Sequence, residues 1–501
     1  MRLPLRWVAF LLLLPAPLVA QGSLYVPLDD PRLPLFEHLV RLGDVPDPSP
    51  QVRPFRRADA LAALDSGAAR GTLRSSAIAA ELRSAWSERR SEAHWSAAPA
   101  AGVQAYTEAR RDPLQPGGPD GANPYVELAL AAAWGPIVAA SRPAIEPRLP
   151  DDPDWPGRKD LKVTGRHADA YLSAQWKWAR LFYGQTDRNW GPVGFTGIPL
   201  SNYGYPRPEF AVEVGGGKLR LSAHALTLTD AQDTSGQVIH RYFFAHRLDA
   251  RPHRRLALSL WETILVTGPD RSFDGRYRNP VALLLLANQY GLGAEGNVMV
   301  GADVTWQAGS RTTLAAQVAV DDIQYQNKGY PNRYAFTLQA SGALRSAVSW
   351  RAGYTQASSL AFRTANPFEA FTEHTVGLGR PYADSDQLTF VVSAPLGARL
   401  LSPHHQSLLL EPELTLLRRG ESRLSDPWPS GSAQTPTLLV GTTERTWRAA
   451  LGLSGRQGPV ALRGSAGLHY LQNADHVEGR TRTEFAGRLQ LTVGHAWSGD
   501  F

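Results

Sequence analysis

The sequence predicts an all-β transmembrane barrel of about eighteen antiparallel strands, preceded by a small periplasmic α-helical domain. Three observations carry this. A secretory leader opens the chain, and most of the remaining sequence alternates between apolar and polar residues with a period of two. Beyond residue 20 no run approaches the ~20 uninterrupted apolar residues that a membrane helix needs; the longest, Val281 to Ala287, stops at Asn288. A mean hydropathy of −0.27 therefore excludes a helical bundle in the membrane but not a barrel, whose strands conceal their apolar face by alternation.

Arg2 and Arg6 form the positive start of the leader, Trp7 to Leu14 its apolar core, and Pro15 to Ala20 its cleavage region. Cleavage is expected between Ala20 and Gln21, and no Cys follows to carry a lipid anchor. The chain has no Cys at all, which excludes disulfides, thiolate metal sites and thiol catalysis. The expected division is a signal peptide over 1–20, a periplasmic helical domain over 21–100 and an outer-membrane barrel over 101–501. Lys and Arg (52) exceed Asp and Glu (46) only modestly and form no basic block, so nucleic acid is not an expected partner.

The helical domain is read from apolar residues at helical spacing. Leu35, Phe36, Leu39 and Leu42 form one stripe, ended by Pro46, Pro48 and Pro50. Leu61 and Leu64 mark a second helix within Arg56–Leu64, and Leu73, Ile78, Leu82 and Trp86 a third over Thr72–Ala93. Together they predict a three-helix packing unit without chemistry of its own.

The strand signal comes next. In Thr312–Val320, Leu314, Ala316, Val318 and Val320 alternate with Thr313, Ala315, Gln317 and Ala319. In Phe485–Trp497, Phe485, Leu489, Leu491 and Val493 point one way, and Glu484, Arg488, Gln490 and Thr492 the other. A lipid-out, water-in wall requires this pattern, and no domain boundary interrupts it as it would in tandem β-sandwiches. The strand starts include residues near 170, 207, 219, 347, 371 and 386. With the helical domain in the periplasm, this map puts the long connections 185–206 and 268–296 on the periplasmic side and the tight Gly215-Gly216-Gly217 turn outside. Barrels do the reverse, so long loops outside are the expectation for the middle of the chain. Phe501 is a terminal aromatic of the kind that assembly machinery reads, although Ser498-Gly499-Asp500 breaks the alternation before it.

The densest polar-aromatic segment is Gly184-Gln185-Thr186-Asp187-Arg188-Asn189-Trp190-Gly191-Pro192, continuing to Leu200-Ser201-Asn202. Asp187 and Arg188 offer charge-assisted hydrogen bonds, Trp190 a stacking face, and Gly191-Pro192 a turn. This set suits a sugar, and equally a structural lock that holds a long loop across the barrel mouth.

The segment resembles the hallmark of the capsule-assembly Wzi family of outer-membrane proteins. Similar stretches occur in the expected order: the helical Leu35–Leu64 region, His246-Arg247-Leu248-Asp249, Leu260-Trp261-Glu262, Tyr277-Arg278-Asn279-Pro280 and Asp321-Asp322. The resemblance implies a barrel of about eighteen strands with a periplasmic helical bundle, acting without catalysis as an outer-membrane lectin. It would hold capsular or exopolysaccharide at the cell surface. Asp187, Arg188, Trp190, Gly191 and Pro192 carry over as signature positions, ligand-binding or structural. Surface polysaccharide and outer-membrane lipid are the expected partners, with polysaccharide export machinery as a contact of the helical domain.

Other patterns lead nowhere. Gly291, Gly293 and Gly296 fit a dinucleotide fingerprint, but a strand succeeds them rather than a phosphate-binding helix. His404 and His405 are adjacent and chelate poorly. Glu262, Asp321 and Asp322 are read as lumen charges paired with lumen Arg rather than as an acid/base pair. No cofactor or metal is expected. A porin or small-solute channel is the alternative function; an outer-membrane enzyme would need a nucleophile or acid pair that the sequence does not display.

Overall fold

A computed structural model describes residues 22–501 except 90, 108–119, 153, 272–274, 289–295, 323–330, 346, 375, 397–407 and 429–434. The leader, with its Ala20–Gln21 bond, lies outside the described residues, as do His404, His405, Gly291 and Gly293. No described helix is long and apolar enough to cross a membrane.

Three helices come first: α1 (Leu33–Leu42), α2 (Arg57–Ala69) and α3 (Ser76–Trp86). Pro34 suits the first turn of α1, where its missing N–H is no loss. Gly43, at φ +76°, ends the helix by donating its N–H to the last carbonyls. The α1 stripe of Leu35, Phe36 and Leu39 packs with Leu64, Ile78, Leu82 and Trp86 into one apolar core. The third helix is shorter than its spacing predicts, because the chain turns into the first strand at Ala93, ahead of the expected boundary at residue 100.

Eighteen antiparallel strands then close on themselves. They are β1 (Ala93–Tyr106), β2 (Gly121–Trp134), β3 (Ile137–Ile145), β4 (Gly165–Gln175), β5 (Ala179–Thr186) and β6 (Arg207–Gly215). Next come β7 (Leu219–Thr227), β8 (Val238–His253), β9 (Leu256–Gly268), β10 (Asn297–Gln307), β11 (Thr312–Asp322) and β12 (Arg333–Arg345). The last six are β13 (Val348–Ala357), β14 (Ser385–Pro395), β15 (Leu408–Arg419), β16 (Glu444–Gln457), β17 (Val460–Gln472) and β18 (Thr481–Gly494). β1 pairs with both β2 and β18, which leaves no sheet edge. Ser498-Gly499-Asp500 do not break this seam: Trp497–Asp500 continues β18 and pairs with His94–Ala97, the Trp95 indole lying over Gly499.

The expected number of strands is right through two compensating errors. The sequence pattern does not mark β5, and the strand expected near residue 371 is only a two-residue pairing of Thr372–Glu373 with Val376–Gly377. With β5 restored, the turns at 135–136, 176–178, 216–218, 254–255, 308–311 and 458–459 all lie at one end. The long connections 146–164, 187–206, 269–296, 358–384 and 420–443 lie at the other. The conflict in sidedness disappears. Trp95, Trp134, Trp178, Trp306 and Trp497 are exposed near the tight-turn rim, and Tyr183, Phe210, Trp447, Tyr470 and Phe485 toward the long-loop rim, flanking an outward Leu and Val belt. Such girdles mark the two interfaces of a membrane barrel.

The helical domain sits in the tight-turn mouth. On the side of α1 away from its core, His38 bonds Ser349 (2.8 Å) and Arg41 reaches Ser349, Ser393 and Glu411 on the barrel wall. Burial beside the Arg41 cation holds His38 down to a pKa of about 3, so it is neutral at pH 7. From the long-loop end, 187–206 and 358–384 fold inward. Trp190, Ile198, Leu200, Phe362, Phe371 and Leu378 form one core with inward wall residues such as Phe243, Trp261, Ala319, Ala335 and Ala357.

Candidate functional site

The signature segment leaves the end of β5 and turns into the lumen. There its backbone meets the helical domain: Arg53 N donates to Asn189 O (2.9 Å) and Asn189 N to Arg53 O (3.1 Å). The part entering from the tight-turn end is thus spliced to the loop entering from the other.

Trp190 is the keystone of this loop, with 1% of its surface exposed. Its backbone N–H donates to Leu200 O (2.9 Å), and its carbonyl accepts from Gln317 Nε2 (2.8 Å). The indole has the Arg247 guanidinium 5.5 Å from its ring and the His224 ring edge-on at 5.0 Å. Arg247 is in turn fixed by Asp303 (2.6 Å), Asp249 (2.9 Å) and Ser259 (2.8 Å). Asp303 also accepts from Trp261 Nε1 (3.0 Å) and Gln317 (2.9 Å). A buried charge network of this kind is stable only when every member is satisfied; here wall residues of several different strands converge on one loop tryptophan.

The other signature positions serve the same turn. Arg188 pairs with Glu209, which also accepts from His224, while its guanidinium covers the Phe182 ring at 4.7 Å. Gly191 passes so close to Gly197 that an added Cβ would lie 2.5 Å from that backbone, so only glycine fits. Pro192 O accepts from Phe195 N (3.0 Å), and Phe195 covers Gly353 on β13. Asp187, at the base of the loop, has a pKa pushed up to about 7 by burial and by the nearby Asp29 and Asp169 carboxylates, against the pull of Arg166.

Asn189 does more than its place in the motif suggests. Its amide accepts from Gly197 N (2.7 Å) and donates to Phe195 O (2.9 Å), bracing both ends of the turn. Arg247, Asp303 and Gln317 are also essential to the arrangement, and no local spacing points to them together. Nor does any sequence signal mark the inner loop 358–384, to which Ser201 is bonded through Leu378 and Gly379. Of the three carboxylates read as lumen charges, Asp321 lies 3.7 Å from Arg333, as expected. Glu262 does not face the lumen: it pairs with His246 (3.2 Å) on the outer side of the wall. The Asp322 side chain lies outside the described residues. No group of three potential metal ligands occurs among the described residues.

Two surfaces among the described residues are accessible to a ligand. A cavity of about 240 Å³ separates the helical domain from β5–β8, with Arg188 and Trp190 among its lining residues. At the long-loop end, half-buried aromatics stand on the connections: Trp155 edge-on to Tyr205 at 4.9 Å, Tyr382 beneath Arg419 and Trp428 beneath Arg333.

No family model matches the chain, and no curated relative does. Among solved structures it is similar to Wzi, described as an outer membrane protein involved in group 1 capsule assembly in Escherichia coli and a carbohydrate-binding β-barrel. The TM-score is 0.62 at 13% identity, over 94% of this chain and 99% of that one. It is also similar to Pseudomonas aeruginosa OprD, at TM-score 0.44 and 10% identity over 81% of this chain and 95% of that one. For Acinetobacter baumannii OccAB2 the values are 0.45, 10%, 81% and 98%. The likeness to Wzi is one of fold.

Proposed function

We propose that the chain is a non-catalytic outer-membrane barrel that holds capsular or exopolysaccharide at the cell surface, its helical domain on the periplasmic side. The observation that carries this reading is the plug across the lumen: helical domain and inward loops are joined by the Arg53–Asn189 backbone pair. A pore for small solutes gains nothing from such a plug. A platform for a large polymer does, because it fixes the long loops in one arrangement and lowers the entropy cost of binding. A carbohydrate-binding barrel of the same fold supports the assignment.

In this reading Asp187, Arg188, Trp190, Gly191 and Pro192 are the lock that sets the loops, and polymer contact falls to the exposed rim. Trp155, Tyr205, Tyr382 and Trp428 supply half-buried rings there, and Arg158, Lys159 and Asp160 are exposed on the Trp155 connection. Export machinery would meet the helical domain at the opposite mouth.

Deleting the gene and measuring cell-attached against shed polysaccharide tests the proposal; attachment should fall while total synthesis continues. Unchanged attachment, with no acidic or neutral glycan retained by the purified protein on an array, removes it. Planar-bilayer recording addresses the porin alternative directly. The plugged barrel should be nearly silent, and steady open-channel conductance would favour the pore.

A further inference from the structure

Holding polysaccharide gives no role to much of three family-like stretches, His246-Arg247-Leu248-Asp249, Leu260-Trp261-Glu262 and Tyr277-Arg278-Asn279-Pro280. Arg247, Asp249 and Trp261 point into the lumen, but His246, Glu262 and Tyr277 meet on the outside of the barrel. Along β9 the side chains alternate, with Leu258 and Leu260 exposed on the outer belt and Trp261 in the lumen, so Glu262 emerges on the lipid-facing side. A bare carboxylate there faces hydrocarbon, which is unfavourable.

Glu262 is not bare. It accepts the backbone N–H groups of Leu284 (2.8 Å) and Leu285 (3.3 Å) and pairs with His246 on β8. These bonds fasten a short helical turn, Leu284–Ala287, to the outer wall. Above them Leu284, Ala287 and Tyr277 pack on Phe244, Ile264 and Val266, the Tyr277 ring 5.7 Å from that of Phe244. The connection 269–296 therefore lies partly against the exterior of the barrel, while 187–206 and 358–384 turn inward.

The outward surface of this ledge is apolar. Val281 is 76% exposed and Leu283 60%, with Leu285 and Leu286 each at 47%. Four large aliphatic side chains so close in sequence form an apolar patch that is unfavourable in water. They continue the belt formed just below by Leu248, Leu258 and Leu260.

We propose that residues 277–287 form an exterior lipid ledge, anchored by Glu262, whose Val281, Leu283, Leu285 and Leu286 insert among the acyl chains of the leaflet on the long-loop side. The ledge covers the carboxylate and replaces the wall surface it hides with an apolar surface of its own. This rests on the barrel lying in a membrane, not on its polysaccharide role.

The natural chain has no Cys, so one introduced thiol reports one position. Full-length Leu285→Cys carries an environment-sensitive dye in phosphatidylcholine vesicles, with Val281→Cys as a second site should the first fail to fold. Leu260→Cys on the belt and Gly216→Cys on an open tight turn are the references; a Cβ at Gly216 meets nothing within 4 Å. Bromines on the acyl chains should quench the ledge label nearly as strongly as the Leu260 label, and at least about threefold more than the Gly216 label. Quenching no greater than at Gly216 overturns the proposal. If the Leu260 label also escapes, the membrane placement itself fails. In a Glu262→Ala background, quenching at residue 285 should fall at least about twofold while the Leu260 label is unaffected; no change would refute the anchoring role of Glu262.

Discussion

The two sides of the barrel wall solve the problem of an interior differently. Around β10–β13 many inward positions are small or neutral and buried, among them Gln317, Ala319, Ala335, Thr337, Thr355 and Ala357, and the inward charges Asp303, Asp321, Arg333 and Arg351 are each held in an ion pair. Along β18 the inward row is Arg482, Glu484, Ala486, Arg488, Gln490 and Thr492, and most of it stays partly accessible. The first wall faces a folded plug, yields volume to it and pairs off its charges; the second keeps its charged and polar side chains partly accessible. A barrel interior is therefore two environments, and the polar-in, apolar-out rule is plainest on the accessible one, because the plug-facing wall also admits Ala and packs apolar loop residues.

That contrast can be broken at its centre. Trp190→Ala removes the ring on which Arg247 and the inner loop close, and should cost about 3–5 kcal/mol. Loss of the heat-modifiable folded form on gels, or a matching fall in denaturant midpoint in lipid vesicles, is the expected result. A stable barrel that only loses glycan attachment would instead mean that Trp190 reaches sugar. Ala319→Leu should cost about 1–3 kcal/mol by overpacking the same side. A neutral result would show that the plug is not closely fitted to the wall.

Acidity sharpens the comparison at the base of the plug. Because the folded state holds Asp187 protonated up to about pH 7, it binds a proton that the unfolded chain releases near pH 4. This contribution to stability is complete below the unfolded pKa and disappears as pH rises through 7. Asp187→Asn should flatten the fall in plug protection over that window, read by limited proteolysis of the loop; parallel profiles for the two proteins would contradict the assignment. The smallest effect belongs to the wet wall, where Thr492→Ala should shift unfolding by no more than about half a kcal/mol.

The same contrast explains how much of the fold is legible in the sequence. β18 can be read at once, since Phe485, Leu489, Leu491 and Val493 face out while most of its inner residues are charged or polar. β5 escapes because its inward residue Phe182 packs on Tyr25 and Tyr171 in the lumen, so both faces look apolar and the alternation vanishes. The false strand near 371 arises where Phe371-Thr372-Glu373 alternate inside an inward-folded loop. The signature turn is visible because its residues are contiguous. Its partners Arg247, Asp303 and Gln317 are not, since closure of the sheet brings them together and no spacing along the chain records it. Glu262 is misplaced for a related reason: a lumen charge and a capped exterior charge look alike until the covering segment is known.

The Arg53–Asn189 splice has a mechanical meaning as well. A polymer tethered to the outer loops transmits drag and shear to whatever holds those loops. Under the proposed role, that load would pass through Trp190 into the wall, and across the two Arg53–Asn189 backbone hydrogen bonds into the helical domain at the far mouth. The traction would then be shared by both ends of the molecule instead of being borne by a single hinge.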